Sequence, residues 1–351
     1  MSNTPTPYFA MEHQRLIHNL ERLSYLEQHA DIKILHTLKS FNHPSVLPTI
    51  AQRLSGISVS SPQEITMATN ARANHLHLYA PAFSEDFLSS LGREIATLSF
   101  NSLGQWERFS SLPLHASLGL RINPKLHLPI PSYCNPNLDE SRLGVDSHHF
   151  IEQYHQSPNR FAKLEGLHLH ALFQSSVEGL SILLDHCYQY YGEILPQLQW
   201  LNLGGGHNFT DEGYDVARYV SLIQTFKSHY PHITLYFEPG ESVIKDTGVF
   251  VATVLDIVDY NVILDTSIET HLLDVAIVNK RLNVQGTSSS ATPHYYALTG
   301  NSCLQGDIIG EYFFHTPLKI GDKVIFEDMM GYSMVKMTQF NGMKPANFII
   351  I

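Results

Sequence analysis

Lys39 is the residue with the most chemistry to offer. It closes the apolar run Lys33-Ile34-Leu35-His36-Thr37-Leu38, which reads as a short strand, and the turn-forming residues Ser40, Asn42, His43 and Pro44 follow it. At the carboxyl end of a strand in a parallel barrel, a side chain faces the active-site mouth. An amine held there among apolar groups loses hydration, its pKa falls, and it becomes nucleophilic enough to form a Schiff base with an aldehyde cofactor. A strand-end lysine reaching into solvent is the commoner case. Its company decides between the two.

That company is specific. Leu203-Gly204-Gly205-Gly206-His207 offers bare backbone N–H groups and free access to positive φ, the makings of a nest that closes on phosphate, although a plain tight loop uses the same glycines. Glu238-Pro239-Gly240 ends another strand candidate, and the loops after the seventh and eighth strands are where such barrels commonly hold phosphate. A carboxylate at Glu238 can pair with a ring nitrogen and keep it protonated, which is the electron sink that pyridoxal phosphate provides. In Gly166-Leu167-His168-Leu169-His170 the two histidines share a face. His170, nearer the strand end, can stack on a planar ring, whereas His168 reads as a deeper, hydrogen-bonded core residue. Together with His75 and His77, such pairs would also suit the zinc of a barrel hydrolase. A metal would leave Lys39, the glycines and Glu238 without a task, so none is expected. Further on, Gly300-Asn301-Ser302-Cys303-Leu304-Gln305-Gly306-Asp307 brings a thiol able to protonate a carbanion close to a carboxylate able to anchor an ammonium group. Tyr332 adds a phenol able to donate to a phosphate oxygen. Inert buried cysteines and packing tyrosines are the ordinary alternatives.

These residues need a frame. Leu16, Ile17, Leu20, Leu23 and Leu26 recur at helical spacing, which predicts a helix over 13–29. Eight strand candidates follow, at 33–38, 56–59, 75–79, 95–100, 117–122, 165–170, 199–203 and 233–238, with helical patterns between them. Alternating strands and helices of this kind predict a parallel (β/α)8 barrel of the TIM type, spanning 12–242. The segment from Pro124 to Ser141, rich in Pro and Asn, is a long functional or mobile loop. After Gly240 the texture becomes all-β, and the runs 249–254, 262–264, 295–298, 323–326 and 348–350 read as strands of a β-sandwich or barrel domain. That domain comprises 243–351 together with 1–11, where Tyr8-Phe9-Ala10-Met11 is a further short strand. A length of 351 residues suits two such bodies. The net charge of −11 argues against non-specific nucleic-acid binding. Three cysteines without a Cys-x-x-Cys, no apolar leader and no membrane-length apolar run point to the cytoplasm.

The order of motifs resembles a known family. The Lys39-ended strand, Gly-Leu-His-Leu-His, Leu-Gly-Gly-Gly-His, Phe-Glu-Pro-Gly-Glu and Gly-Asn-Ser-Cys-Leu-Gln-Gly-Asp are similar to those of the alanine-racemase-fold pyridoxal-phosphate decarboxylases. Ser141-Arg142-Leu143-Gly144 and Ile263-Leu264-Asp265-Thr266-Ser267 extend the likeness over nearly the whole chain, closest to the carboxynorspermidine/carboxyspermidine decarboxylases. The resemblance implies a barrel plus a β domain joining both termini, and a homodimer with shared active sites. It implies that Lys39 carries the cofactor, that His170 stacks on its ring, that Gly204, Gly205, Gly206, Gly240 and Tyr332 hold its phosphate, and that Glu238 meets its ring nitrogen. Cys303 would be the proton donor and Asp307 a substrate-amine contact, both from the partner subunit, with Glu241, Gln174 and Asp265 also near the substrate. The substrate would be a carboxypolyamine or related basic amino acid, decarboxylated in polyamine synthesis.

Three departures stand out. His170-Ala171-Leu172-Phe173-Gln174 lacks the family's usual Cys-Glu, Cys134-Asn135-Pro136-Asn137 replaces Tyr-Asn/Asp-Pro-Cys, and Lys245-Asp246-Thr247-Gly248 replaces Trp-x-Thr-Gly. They fall outside the cofactor contacts and bear on the substrate. A diverged decarboxylase with another substrate, or a non-catalytic cofactor-binding homologue, is the alternative they leave.

Overall fold

The computed structural model describes residues 4–351. The chain divides into two compact units, one from Asn19 to Val243 and the other joining the chain up to His18 with Ile244–Ile351.

In the first unit eight parallel strands close on themselves: Lys33–Thr37, Gly56–Val59, Leu76–Tyr79, Ile95–Phe100, Ser117–Asn123, Gly166–His168, Trp200–Asn202 and Thr234–Phe237. Each pairs with its neighbours in sequence, and the eighth returns to the first through Tyr236↔Lys33 and Phe237↔Ile34. Every one overlaps a strand expected from its apolar run. Serine and aspartate set where the intervening helices begin. Ser61, Ser84, Ser102, Asp146, Ser176 and Asp215 each accept a backbone N–H in the following first turn, satisfying a donor that the helix itself leaves orphaned.

The barrel is filled, and glycine decides by what. Trp200 lies inside it with Leu35 and Tyr236, its Nε1–H donated to Ser117 Oγ at 2.7 Å. A Cβ at Gly166 would sit 2.0 Å from the indole ring, so only glycine admits Trp200 there. This apolar plug closes the amino-terminal half and leaves the polar inward residues at the other end.

The second unit is a curled, mostly antiparallel sheet. Its order is Thr287–Ser288, Ile308–Phe314, Tyr295–Thr299, Asn261–Leu264, Gly248–Val258, Tyr8–Met11 and Asn347–Ile350, with Lys323–Phe326 also on Gly248–Val258. Both ends of the chain enter this sheet side by side, since Tyr8–Met11 runs parallel to Asn347–Ile350 in the register Tyr8↔Asn347 and antiparallel to Gly248–Val258. Two features depart from expectation. Ile308–Phe314 is a strand of seven residues, one that the interior Gly310 and the charged Glu311 obscure in sequence. Three short helices, Ile268–His271, Leu273–Val278 and Tyr332–Val335, interrupt the β texture; at four to six residues they are too short to show a helical period.

Candidate active site

The carboxyl ends of the barrel strands bring the expected residues together one strand at a time. Lys39 lies two residues past the first strand. It retains accessible surface, yet loss of hydration pulls its amine pKa below the ordinary lysine value, Arg121 adding to the fall while Glu238 and Glu64 oppose it. Together these describe a side chain in a depression, wetted but walled by protein. The loop that carries it is tied to the eighth strand, because Thr37 Oγ1 donates to the Glu238 carbonyl at 3.0 Å and a Cβ at Gly240 would meet Ser40 Oγ at 2.5 Å.

His170 follows the sixth strand. Its Nδ1 accepts the Gly205 N–H at 3.0 Å, which leaves the ring proton on Nε2. Burial holds the imidazole well below its usual pKa, and the neighbouring Lys39, Arg121 and His207 push the same way, so at neutral pH the ring is uncharged. The glycine triplet packs directly behind it. Gly204 and Gly206 have φ of +68° and +87°, and a Cβ at Gly205 would lie 2.4 Å from the Glu238 carbonyl oxygen.

Glu238 is nearly enclosed. Burial raises its pKa, while a hydrogen bond from Asn202 and the charge of Lys39 draw it back down. Asn202 Nδ2 donates to Oε1 at 2.8 Å, and the imidazoles of His77 and His168 stand at 3.9 and 3.6 Å from the two carboxylate oxygens. His77 is bound to Thr97 Oγ1 and Ser99 Oγ at 2.8 and 3.2 Å, and His75 shares the same Thr97 hydroxyl at 3.0 Å. Gln174 and Glu241 meet at the rim, the amide donating to both carboxylate oxygens at 3.1 and 3.3 Å.

Two residues of this site escaped sequence reasoning. Arg121 is buried in the fifth strand with its guanidinium 4.6 Å from the centre of the Tyr79 ring, and Asn202 ends the seventh. A charged residue inside the apolar run Ser117–Asn123 was the available signal for the first. For the second there was none beyond its place before the glycines.

The other unit holds Cys303, Asp307, Asp265 and Tyr332. Cys303 is exposed in the turn between Tyr295–Thr299 and Ile308–Phe314, and Tyr332 opens a short helix after Gly331. Asp307 is 3% exposed, and its two oxygens accept the backbone N–H groups of Ile268 and Ser302 at 2.8 and 3.1 Å. A buried carboxylate so placed shapes the turn, each oxygen keeping a further lone pair. Thr253 N–H and Thr6 Oγ1 donate to the oxygens of the half-buried Asp265 at 2.7 and 2.5 Å.

An amine of depressed basicity, a neutral ring, a bare-backbone glycine loop and an enclosed carboxylate fit a phosphorylated pyridine aldehyde. The family model "Pyridoxal-dependent decarboxylase, pyridoxal binding domain" matches residues 16–245. The chain belongs to this family. Two pyridoxal-dependent decarboxylases from bacteria are similar over almost the full length. Carboxyaminopropylagmatine decarboxylase from Synechocystis is 36% identical, covering 97% of this chain and 89% of that one. Carboxynorspermidine/carboxyspermidine decarboxylase from Campylobacter jejuni is also 36% identical, covering 99% and 93%. The crystal structure of carboxynorspermidine decarboxylase from Campylobacter jejuni, complexed with norspermidine, superposes with a TM-score of 0.90 at 33% identity, covering 99% of this chain and 94% of the other. As a member of the pyridoxal-dependent decarboxylases the protein is a carboxy-lyase that uses pyridoxal phosphate. Among its described residues no helix is long and apolar enough to cross a membrane.

Proposed function

We propose that the protein removes the α-carboxylate of a carboxypolyamine, of the carboxynorspermidine or carboxyspermidine kind, giving the polyamine and CO2 in the cytoplasm. The observation that carries this is the convergence of Lys39, His170, the Gly204–Gly206 loop and Glu238 on one barrel end. Lys39 attaches the cofactor, and the loop Gly204, Gly205 and Gly206, with Gly240 and Tyr332, holds its phosphate; since Asn202 and His170 take the N–H groups of Gly204 and Gly205, those of Gly206 and Gly240 and the phenol are the donors. His170, uncharged and fixed by Gly205, stacks on the ring without repelling its positive nitrogen. Glu238 keeps that nitrogen protonated. When bound, pyridoxal phosphate supplies the electron sink for the bond to the carboxylate. Cys303 then returns a proton to Cα, reaching the site across a two-fold homodimer, so that a carboxylate leaves as CO2 and one proton takes its place.

Glu241, with Gln174 beside it, receives the cationic tail of the substrate. One feature favours a second substrate class. Phe173 and Gln174 replace a thiol and a carboxylate with an aromatic face and an amide carbonyl, groups that suit a planar guanidinium as well as an ammonium. Carboxyaminopropylagmatine carries such a guanidinium and names a relative as similar as the carboxynorspermidine enzyme. The test is turnover by the cofactor-loaded enzyme of carboxynorspermidine, carboxyspermidine, carboxyaminopropylagmatine, diaminopimelate, ornithine and arginine, with amine products followed by mass spectrometry. A carboxypolyamine should exceed the simple amino acids in kcat/KM by about a hundredfold or more, the effect of filling a specific polar site. Preference for diaminopimelate or ornithine, or silence with all six, would overturn the proposal.

A further inference from the structure

Asn202 has no part in the family resemblance, yet it occupies the centre of the site. It ends the seventh strand in register with His168 on one side and Tyr236 on the other, its backbone carbonyl accepts the Leu169 N–H at 2.7 Å, and its side chain is fully buried. The Gly204 N–H donates to Asn202 Oδ1 at 2.8 Å. That contact fixes which way the amide faces, because its NH2 cannot meet another N–H. The NH2 therefore points at Glu238 Oε1, 2.8 Å away. A third bond closes the circuit, the Glu238 N–H donating to the Gly204 carbonyl at 2.8 Å.

We propose that Asn202 is a positioning residue that couples the glycine loop to Glu238, holding the loop's first N–H and the carboxylate in fixed relation and keeping that carboxylate ionised. This rests on the role given above to Glu238 at the ring nitrogen. The groups facing Glu238 from the surrounding strands are Lys39, Ser58, His75, His77, Tyr79, Arg121 and His168. Asn202 donates a short neutral hydrogen bond among them, and the two nearest imidazoles stand at 3.6 and 3.9 Å. The amide is the required side chain: an aspartate there could still accept from Gly204 but would set one carboxylate against another.

Two variants separate coupling from packing. In Asn202→Asp the two carboxyls share one proton at low pH, so the protonated partner can still donate to Glu238; at higher pH that proton is lost and the pair repels. In Asn202→Leu the branched shape is kept, at somewhat larger volume, and both bonds are lost. The readouts are pyridoxal phosphate affinity of the cofactor-free protein, by absorbance titration from about pH 6 to about pH 9, and the pH profile of kcat/KM, with circular dichroism confirming folding. The expected result for Asn202→Asp is affinity near wild type at the low end that falls about tenfold or more with rising pH, its alkaline limb moved down by about one unit. Asn202→Leu should bind weakly throughout. Two variants that follow the wild-type pH dependence, whether at full or uniformly reduced affinity, would overturn the inference. If Glu238→Gln also left both readouts unchanged, the ring-nitrogen role itself would fall; an effect of Glu238→Gln alone would leave that role standing and remove only Asn202.

Discussion

At the scale of single residues, burial tunes the site, lowering the pKa of its amine and imidazole and raising that of its carboxylate. Lys39 is pulled toward the free amine, His170 is kept neutral, and Glu238 is raised by burial, a shift that Asn202 and Lys39 oppose. Cys303 stands apart, exposed on its turn. Replacing Cys303 with Ala should lower kcat by about a hundredfold or more, the usual worth of a positioned general acid, while leaving pyridoxal phosphate affinity within about twofold. Steady-state kinetics beside an absorbance titration checks both. An unchanged kcat would remove Cys303 from the chemistry, and lost cofactor would move it into the binding site.

At the scale of elements, the barrel unit buries imidazoles inside its strands, at His77 and His168, and also on the other face of the first strand, at His36, and in the loop after the seventh, at His207. Burial holds His36 and His75 down to about 4, and His77 and His207 to about 3. Unfolded, these imidazoles take protons near 6.5; folded, they refuse them until far lower pH. Between those values the unfolded chain binds more protons, so stability must fall as pH falls. Denaturation midpoints of the cofactor-free protein should therefore decline from about pH 6.5 downward, and keep declining to about pH 4 and below. A flat midpoint between about pH 6.5 and about pH 5 would show that these histidines are not buried as neutral rings. Such strands were legible in sequence because each is a largely apolar run, most of them closed by Gly, Pro, Ser or Asn. Lys39, His170, the glycines and Glu238 were legible because each follows a strand. Asn202 and Arg121 were not, since their part depends on which strands become neighbours in the closed barrel. The bonds of Asp307 were hidden for a related reason: its turn folds back on Ile268, and adjacency to Cys303 says nothing of where its oxygens point.

At the scale of the whole molecule, the β unit carries the proposed acid, Cys303, on an exposed turn. A two-fold dimer that trades Cys303 between subunits makes each site depend on two chains. Lys39→Ala and Cys303→Ala should each be inactive alone. Mixed in equal amounts and allowed to exchange subunits, they should recover about a quarter of wild-type activity, because half the dimers then hold one intact site of two. No recovery despite exchange, followed by mass spectrometry of differently tagged subunits, would place Lys39 and Cys303 in one chain's site.

The most direct test of the central claim is to reduce the cofactor-loaded enzyme with borohydride and map the modified peptide by mass spectrometry. The phosphopyridoxyl group should be on Lys39, at one per chain, with Lys39→Ala left unlabelled. A label on any other lysine would contradict the account, because the ring, the glycine loop and Glu238 would then have no common point of attachment.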